Sequence, residues 1–160
     1  FSVPPEGRPQ KAMTTSAYAA ALCLCRPRRG GNNHKEAFMT NTNTLTANAL
    51  RQFTGSETWY RHSLNHKVLY TDGAQYLAQH GGAYWLLDTI AITQAHDKAV
   101  AAEQFQLWTL RVNPDSTGLL TCDDGNRNVV YSQRLPFTDF PLPEVKLYFC
   151  NDVIMLPGEY

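Results

Sequence analysis

The chain has 160 residues and a mass of 18.0 kDa, enough for one ordinary domain with a sizeable core but cramped for two. With 43% hydrophobic and 18% charged residues and no apolar run of about 18 residues, it does not read as a helical membrane protein. Net charge is zero, yet residues 1–38 carry six Lys/Arg against two Asp/Glu and residues 39–160 carry eight against twelve. A mildly acidic body without a clustered basic run argues against nucleic-acid binding.

Residues 1–38 hold early prolines, an alanine-rich patch and RPRRGGNN, with no sustained periodicity, and are expected to be disordered. The patch Ala17–Cys25 is short, weakly apolar and followed at once by Arg26, Arg28 and Arg29, a poor match to a secretory signal. Lys35-Glu36 can be encoded AAG GAG, the purine-rich sequence that pairs with bacterial ribosomes, with the codons of Ala37 and Phe38 as the spacer before an ATG at Met39. Residues 1–38 are therefore expected to be a leader that is not natively translated, and residues 39–160 a single domain. Without an export signal, Cys122 and Cys150 are expected to be buried thiols in a cytoplasmic protein.

From Thr44 the pattern becomes that of a folded chain. Leu45, Ala49 and Phe53 recur every four residues, with Thr44 as N-cap and Gly55 past the end, predicting a short helix. ETWYRHSLNH reads as an aromatic link, and Val68–Thr71 as a short strand. Asp72 and Gln75 have the spacing of a capping box, opening a helix that stops at Gly81-Gly82. Residues 83–94, AYWLLDTIAITQ, are apolar on nearly every side and predict a central helix. After a polar stretch, HDKAVAAE, the pattern alternates, with Gln104, Gln106, Thr109 and Arg111 on one side of a strand and a bulge at Trp108. Leu119–Cys122, Val129–Leu135, Val145–Cys150 and Val153–Leu156 follow as strands, the last two joined by Asn151-Asp152. Helices first and consecutive strands afterwards predict an α+β domain, with short N-terminal helices on one face of a four- or five-stranded antiparallel meander sheet.

The strings FTGSETWYRH, LYTDGAQYLAQHGGAYWLLDTIA, LTCDDGN, FTDFPL and LYFCNDVIMLPGEY, in this order, resemble a bacterial family catalogued as a domain of unknown function, over about residues 45–160. The resemblance implies an accessory gene of the kind carried on plasmids, phages and other mobile elements. It carries over no catalytic residue.

The chemistry-bearing residues gather in two places. Asp88 lies among Trp85, Leu86, Leu87, Ile90 and Ile92, so that if buried it needs a partner; Arg61 and His62 from the preceding link are candidates, and the three together would suit a small enzyme. The simpler reading is a structural hydrogen bond from helix to loop. His62 and His66 are four apart, but without a helix, a nearby Cys or an HExxH pattern no metal site is expected, and no cofactor either. Trp59 and Tyr60 in the link, and Lys146 and Tyr148 on the strand face opposite Val145, Leu147 and Phe149, are the candidate binding residues. The leading expectation is a cytoplasmic interaction module that binds another protein through its sheet face or its aromatic loop. The alternative is an enzyme using Asp88 with His62 or Arg61.

Overall fold

The structure, a computed structural model, describes residues 45–160. The expected disorder of residues 1–38 and the start at Met39 lie outside the described residues. The first helix is a single turn, α1 (Ala47–Leu50), capped by Thr46, whose Oγ1 accepts from the Ala49 amide at 3.2 Å. The longer helix expected over residues 45–53 does not form. Leu45 is buried and Phe53 packs against the core, so the two ends of that apolar stripe serve as anchors on either side of one turn.

The aromatic link contains a strand, β1 (Trp59–Arg61), which pairs antiparallel with β2 (Leu69–Thr71). Strand β2 passes without a break into α2 (Asp72–His80). The N-cap is Thr71, not Asp72: its Oγ1 accepts from the Ala74 amide at 3.3 Å, and Asp72 becomes the first helical residue, where the helix dipole still favours its charge. A hydrogen bond from the Ser56 hydroxyl holds the Asp72 carboxyl below its ordinary range. Helix α2 ends at Gly81, and Gly82 turns the chain with φ +61°. The apolar α3 (Tyr84–His96) follows, burying Leu86, Leu87, Ile90, Ala91 and Thr93. The polar stretch HDKAVAAE is not a plain connection but forms one more turn, α4 (Lys98–Ala101). There Asp97 accepts from the amides of Ala99 and Val100, and Val100 is buried.

The remaining strands are β3 (Phe105–Val112), β4 (Gly118–Asp123), β5 (Val129–Leu135), β6 (Glu144–Cys150) and β7 (Val153–Met155), closed by a 3₁₀ turn at Pro157–Glu159. Asn151 and Asp152 take φ +51° and +61° in the β6–β7 turn, as expected of residues that tolerate the left-handed region. The fold is α+β, but the sheet is mixed and has seven strands in the order β1-β2-β7-β6-β3-β4-β5. Strands β3, β4 and β5 form the expected meander. Strand β6 then pairs with the other side of β3, and β7 lies parallel to β2 through Leu69↔Val153 and Tyr70↔Ile154. That parallel contact joins segments more than eighty residues apart and adds β1 and β2 to the sheet.

Helices cover one face. Trp108, Leu110, Leu120, Cys122, Leu147, Phe149 and Ile154 point into a core shared with Leu77, Leu86, Leu87 and Ile90. No bulge occurs at Trp108, because Gln106 points inward with Trp108 and Leu110; the irregularity lies between Cys122 and Asp123, opposite β5. Gln106 is fully buried, and its polar atoms are used. Its Nε2 donates to Val100 O at 2.8 Å and Gln94 Oε1 at 3.0 Å, while its Oε1 accepts from Gln94 Nε2 at 2.7 Å and Trp108 Nε1 at 2.9 Å. A buried amide so engaged is stable in place but costly to cut. No helix among the described residues is long and apolar enough to cross a membrane. Replacing Gln106 by Leu should strand the Trp108 N–H and the Gln94 side-chain amide and cost about 3 kcal/mol. Urea unfolding checks this, and an unchanged midpoint would show that the network contributes nothing.

Candidate functional site at the β1 edge

Strand β1 is an edge of the sheet, and its alternation splits the candidate residues. Tyr60 pairs with Tyr70, which lies beside Ile154 in the row facing the helices; the two rings stack with centroids 5.6 Å apart. Trp59 and Arg61 point the other way, both exposed. Beyond Arg61 the chain turns inward at His62, whose amide donates to Val68 O at 2.9 Å.

His62 and Asp88 meet. The imidazole is buried, only 3% exposed, and its Nε2 stands 2.9 Å from Asp88 Oδ1. Its Nδ1 accepts from the amides of Leu64 and Asn65 at 3.2 and 3.3 Å. A nitrogen that accepts two N–H groups carries no proton of its own, so the ring is neutral and Nε2 donates to the carboxylate. Asn65 completes the attachment, its Nδ2 donating to Ala91 O on α3 at 2.9 Å. The loop after β1 is thus fastened to α3 through one imidazole and one amide.

Arg61 does not join this pair. Its guanidinium donates to His66 O at 2.6 Å, on the far side of the loop. His66 shares no helical face with His62, and both nitrogens of His62 are engaged. No group of three or more His, Cys, Asp or Glu suited to a metal occurs among the described residues. Cys122 is no better placed for nucleophilic work, since burial pushes its thiol up to about 12; Cys150, expected to be buried as well, is only half-buried.

Two residues missing from the sequence-based candidates complete the site. Tyr84, exposed at the start of α3, lies one turn before Asp88 and on the same helical face. Tyr70 lines the other wall, its ring 6.3 Å from that of His62. Burial first, then the Tyr84 and Tyr60 phenols and the Asp88 carboxylate, push the Tyr70 hydroxyl above its ordinary range. The signal for Tyr84 is present in sequence as i,i+4 spacing from Asp88; Tyr70 needs the β1–β2 register.

The other candidate pair is elsewhere. Lys146 and Tyr148 lie on the face of β6 away from the helices, as the strand alternation predicts. Lys146 stands 3.5 Å from Glu144, whose carboxyl is held below its ordinary range by a hydrogen bond from Arg111. Tyr148 packs edge-on against Phe105 and Tyr160 at 5.0 and 5.6 Å. A separate open cleft of about 1070 Å³, beside the β6–β7 turn, is lined by Lys67, Glu103, Phe105, Cys150 and Tyr160 among others, and by none of Arg61, His62 or Asp88.

The model of a family of unknown function, DUF6876, matches residues 44–160, the span of the resemblance seen in sequence. No curated protein and no solved structure matches. If His62 fastens the loop as the hydrogen bonds indicate, His62→Ala should cost about 3 kcal/mol in urea unfolding. Asp88→Asn should cost less than about 1 kcal/mol, because the carboxamide oxygen still accepts from Nε2. Equal losses in both variants would contradict the neutral-donor arrangement.

Proposed function

The chain belongs to that family of unknown function, and we propose that it is a macromolecular interaction module whose partner is another protein, bound at the β1 edge. One observation carries this reading. Two of the large apolar side chains that the described residues leave to solvent belong to β1 and the loop that follows it, Trp59 (61% exposed) and Leu64 (62%), with Tyr60 stacked on Tyr70 on the opposite face of the strand and Tyr84 (46%) exposed at the start of α3. Aromatic anchors on an edge strand supply both apolar contact and an unpaired backbone ladder.

A nucleic-acid partner has less support. Arg61 and Arg134 sit on opposite edge strands, six strand spacings or about 29 Å apart at the usual 4.8 Å, so the arginines do not form one basic footprint. An enzyme using Asp88 with His62 or Arg61 also has less support, because neither nitrogen of His62 is free to take a proton and Arg61 is engaged elsewhere. A bacterial source, carriage on a mobile element and a cytoplasmic location belong to the same proposal. They rest on the resemblance seen in sequence and on the free thiols Cys122 and Cys150.

Affinity capture from lysate of the source cells tests the proposal. A protein retained by the chain should be lost by at least about tenfold in Trp59→Ser and Tyr84→Ser and kept in Lys146→Ala and Tyr148→Ser. Loss only in the second pair would move the binding surface to the open sheet face. Recovery only of nucleic acid, released by salt, would overturn a protein partner.

A further inference from the structure

Independently of the β1-edge reading, we infer that the sheet face away from the helices packs against the same face of a second copy of this chain, about a two-fold axis that runs along the strands between β3 and β6. The strand pairings set two outward rows on that face. One is Met155, Tyr148 and Leu107, across β7, β6 and β3; the other is Leu69, Val153, Cys150 and Phe105, across β2, β7, β6 and β3. All but Val153 are only half-buried. A sheet with one face in water normally alternates apolar-in and polar-out. At this end of the sheet the outward rows are apolar as well, a contiguous patch of the kind that marks an interface.

The charges of the face point to a second copy as the occupant. At the other end of β3 and β6, Arg111 pairs with Glu144, Nε to Oε2 at 2.9 Å, and both side chains are exposed. A two-fold axis midway between β3 and β6 lays each of these strands over the other strand of the second copy, so every register pair is repeated across the interface. Arg111 then faces the second copy's Glu144, and Glu144 faces the second copy's Arg111. Leu107 meets the second copy's Tyr148, and Lys146 meets the neutral Thr109, so that like charges are not opposed. Such self-complementarity is what an isologous interface requires, and opposite charges in register fix its orientation. Sheets packed face to face lie about 10 Å apart, within the combined reach of an arginine and a glutamate. The six strands from β2 across to β5 span five spacings, about 24 Å, and β6 is about 23 Å long. Two copies therefore cover on the order of 1,000 Å², the lower bound for a specific interface. In this arrangement β2 lies over β5 of the second copy and β1 overhangs it, which leaves the β1 edge free for another partner.

Sedimentation velocity of the full chain tests this. The 18.0 kDa chain should sediment as a dimer of twice that mass at about 300 µM and dissociate on dilution through the micromolar range. Arg111→Glu and Glu144→Arg each oppose like charges at two symmetric places, and each should weaken association at least about tenfold. An equimolar mixture of the two variants should restore the dimer, because each then offers the charge that the other lacks. Both side chains are exposed, so the fold does not depend on them. A single-chain mass for the unaltered protein at about 300 µM would overturn the inference. So would a dimer that persists unchanged in both variants, since it must use another surface, or a mixture that stays monomeric, since the two charges then do not meet across the axis. Should either variant fail to fold, Tyr148→Ser decides: weaker association is expected, and a dimer of unchanged strength would overturn the inference.

Discussion

The Glu159 carboxylate sits at the start of α2 and accepts three hydrogen bonds there: from Thr71 Oγ1 at 2.6 Å, the Leu156 amide at 2.9 Å and the Gly73 amide at 3.0 Å. A charged acceptor at a helix N-terminus is favoured by the dipole, and hydrogen bonds to a charged group contribute about 1.5–3 kcal/mol each. The approach is so close that a Cβ at Gly73 would come within 2.6 Å of the carboxylate and would displace it from the helix start. This contact fastens the turn after β7 to the junction of β2 and α2, beside a parallel ladder of only two residue pairs. The candidate site depends on it. Strand β1 reaches the rest of the sheet only through β2, and α2 packs on α3, which carries Asp88.

Local signals are legible in the sequence, and long-range ones are not. Helix α3, strand β5 and the Asn151-Asp152 turn follow from apolar continuity, alternation and tolerance of positive φ, all of which act within a few residues. Sequence spacing puts the α2 cap one residue late: the Thr71 hydroxyl that caps the Ala74 amide also donates to Glu159, 88 residues away, a contact that no local pattern contains. Polarity alone assigns Gln106 to the outer side of β3. Its burial depends on Gln94 and Val100 from the helical layer, which no alternation pattern contains. Strands β1 and β2 have three residues each and join the sheet through β7, so WYR reads locally as a link.

At the site, a carboxylate in an apolar helix singles out Asp88, but the member of the pair that is buried is His62, while Asp88 stays part-exposed. What sequence could not supply is the second hydrogen bond of the imidazole. Nδ1 is occupied by the loop backbone, and this turns the pair from one able to exchange protons into a fixed, neutral support for a negative charge. The residues that suggest acid–base chemistry in sequence thus fasten a loop to a helix in the fold, and Tyr60, a separate feature in sequence, stacks on Tyr70, whose ring stands 6.3 Å from that of His62.

The protonation state of one ring nitrogen is therefore the most direct test. If the loop hydrogen bonds set the tautomer, His62 is the neutral Nε2–H form, donating to Asp88 and accepting at Nδ1. Two-bond nitrogen–proton NMR correlation on the isotopically labelled chain at pH 8 reads this directly. A protonated Nε2 and an unprotonated, hydrogen-bonded Nδ1 are expected. A proton on Nδ1, in the other tautomer or in an imidazolium, would contradict the arrangement in which His62 fastens the loop to α3 by accepting from its backbone and donating to Asp88.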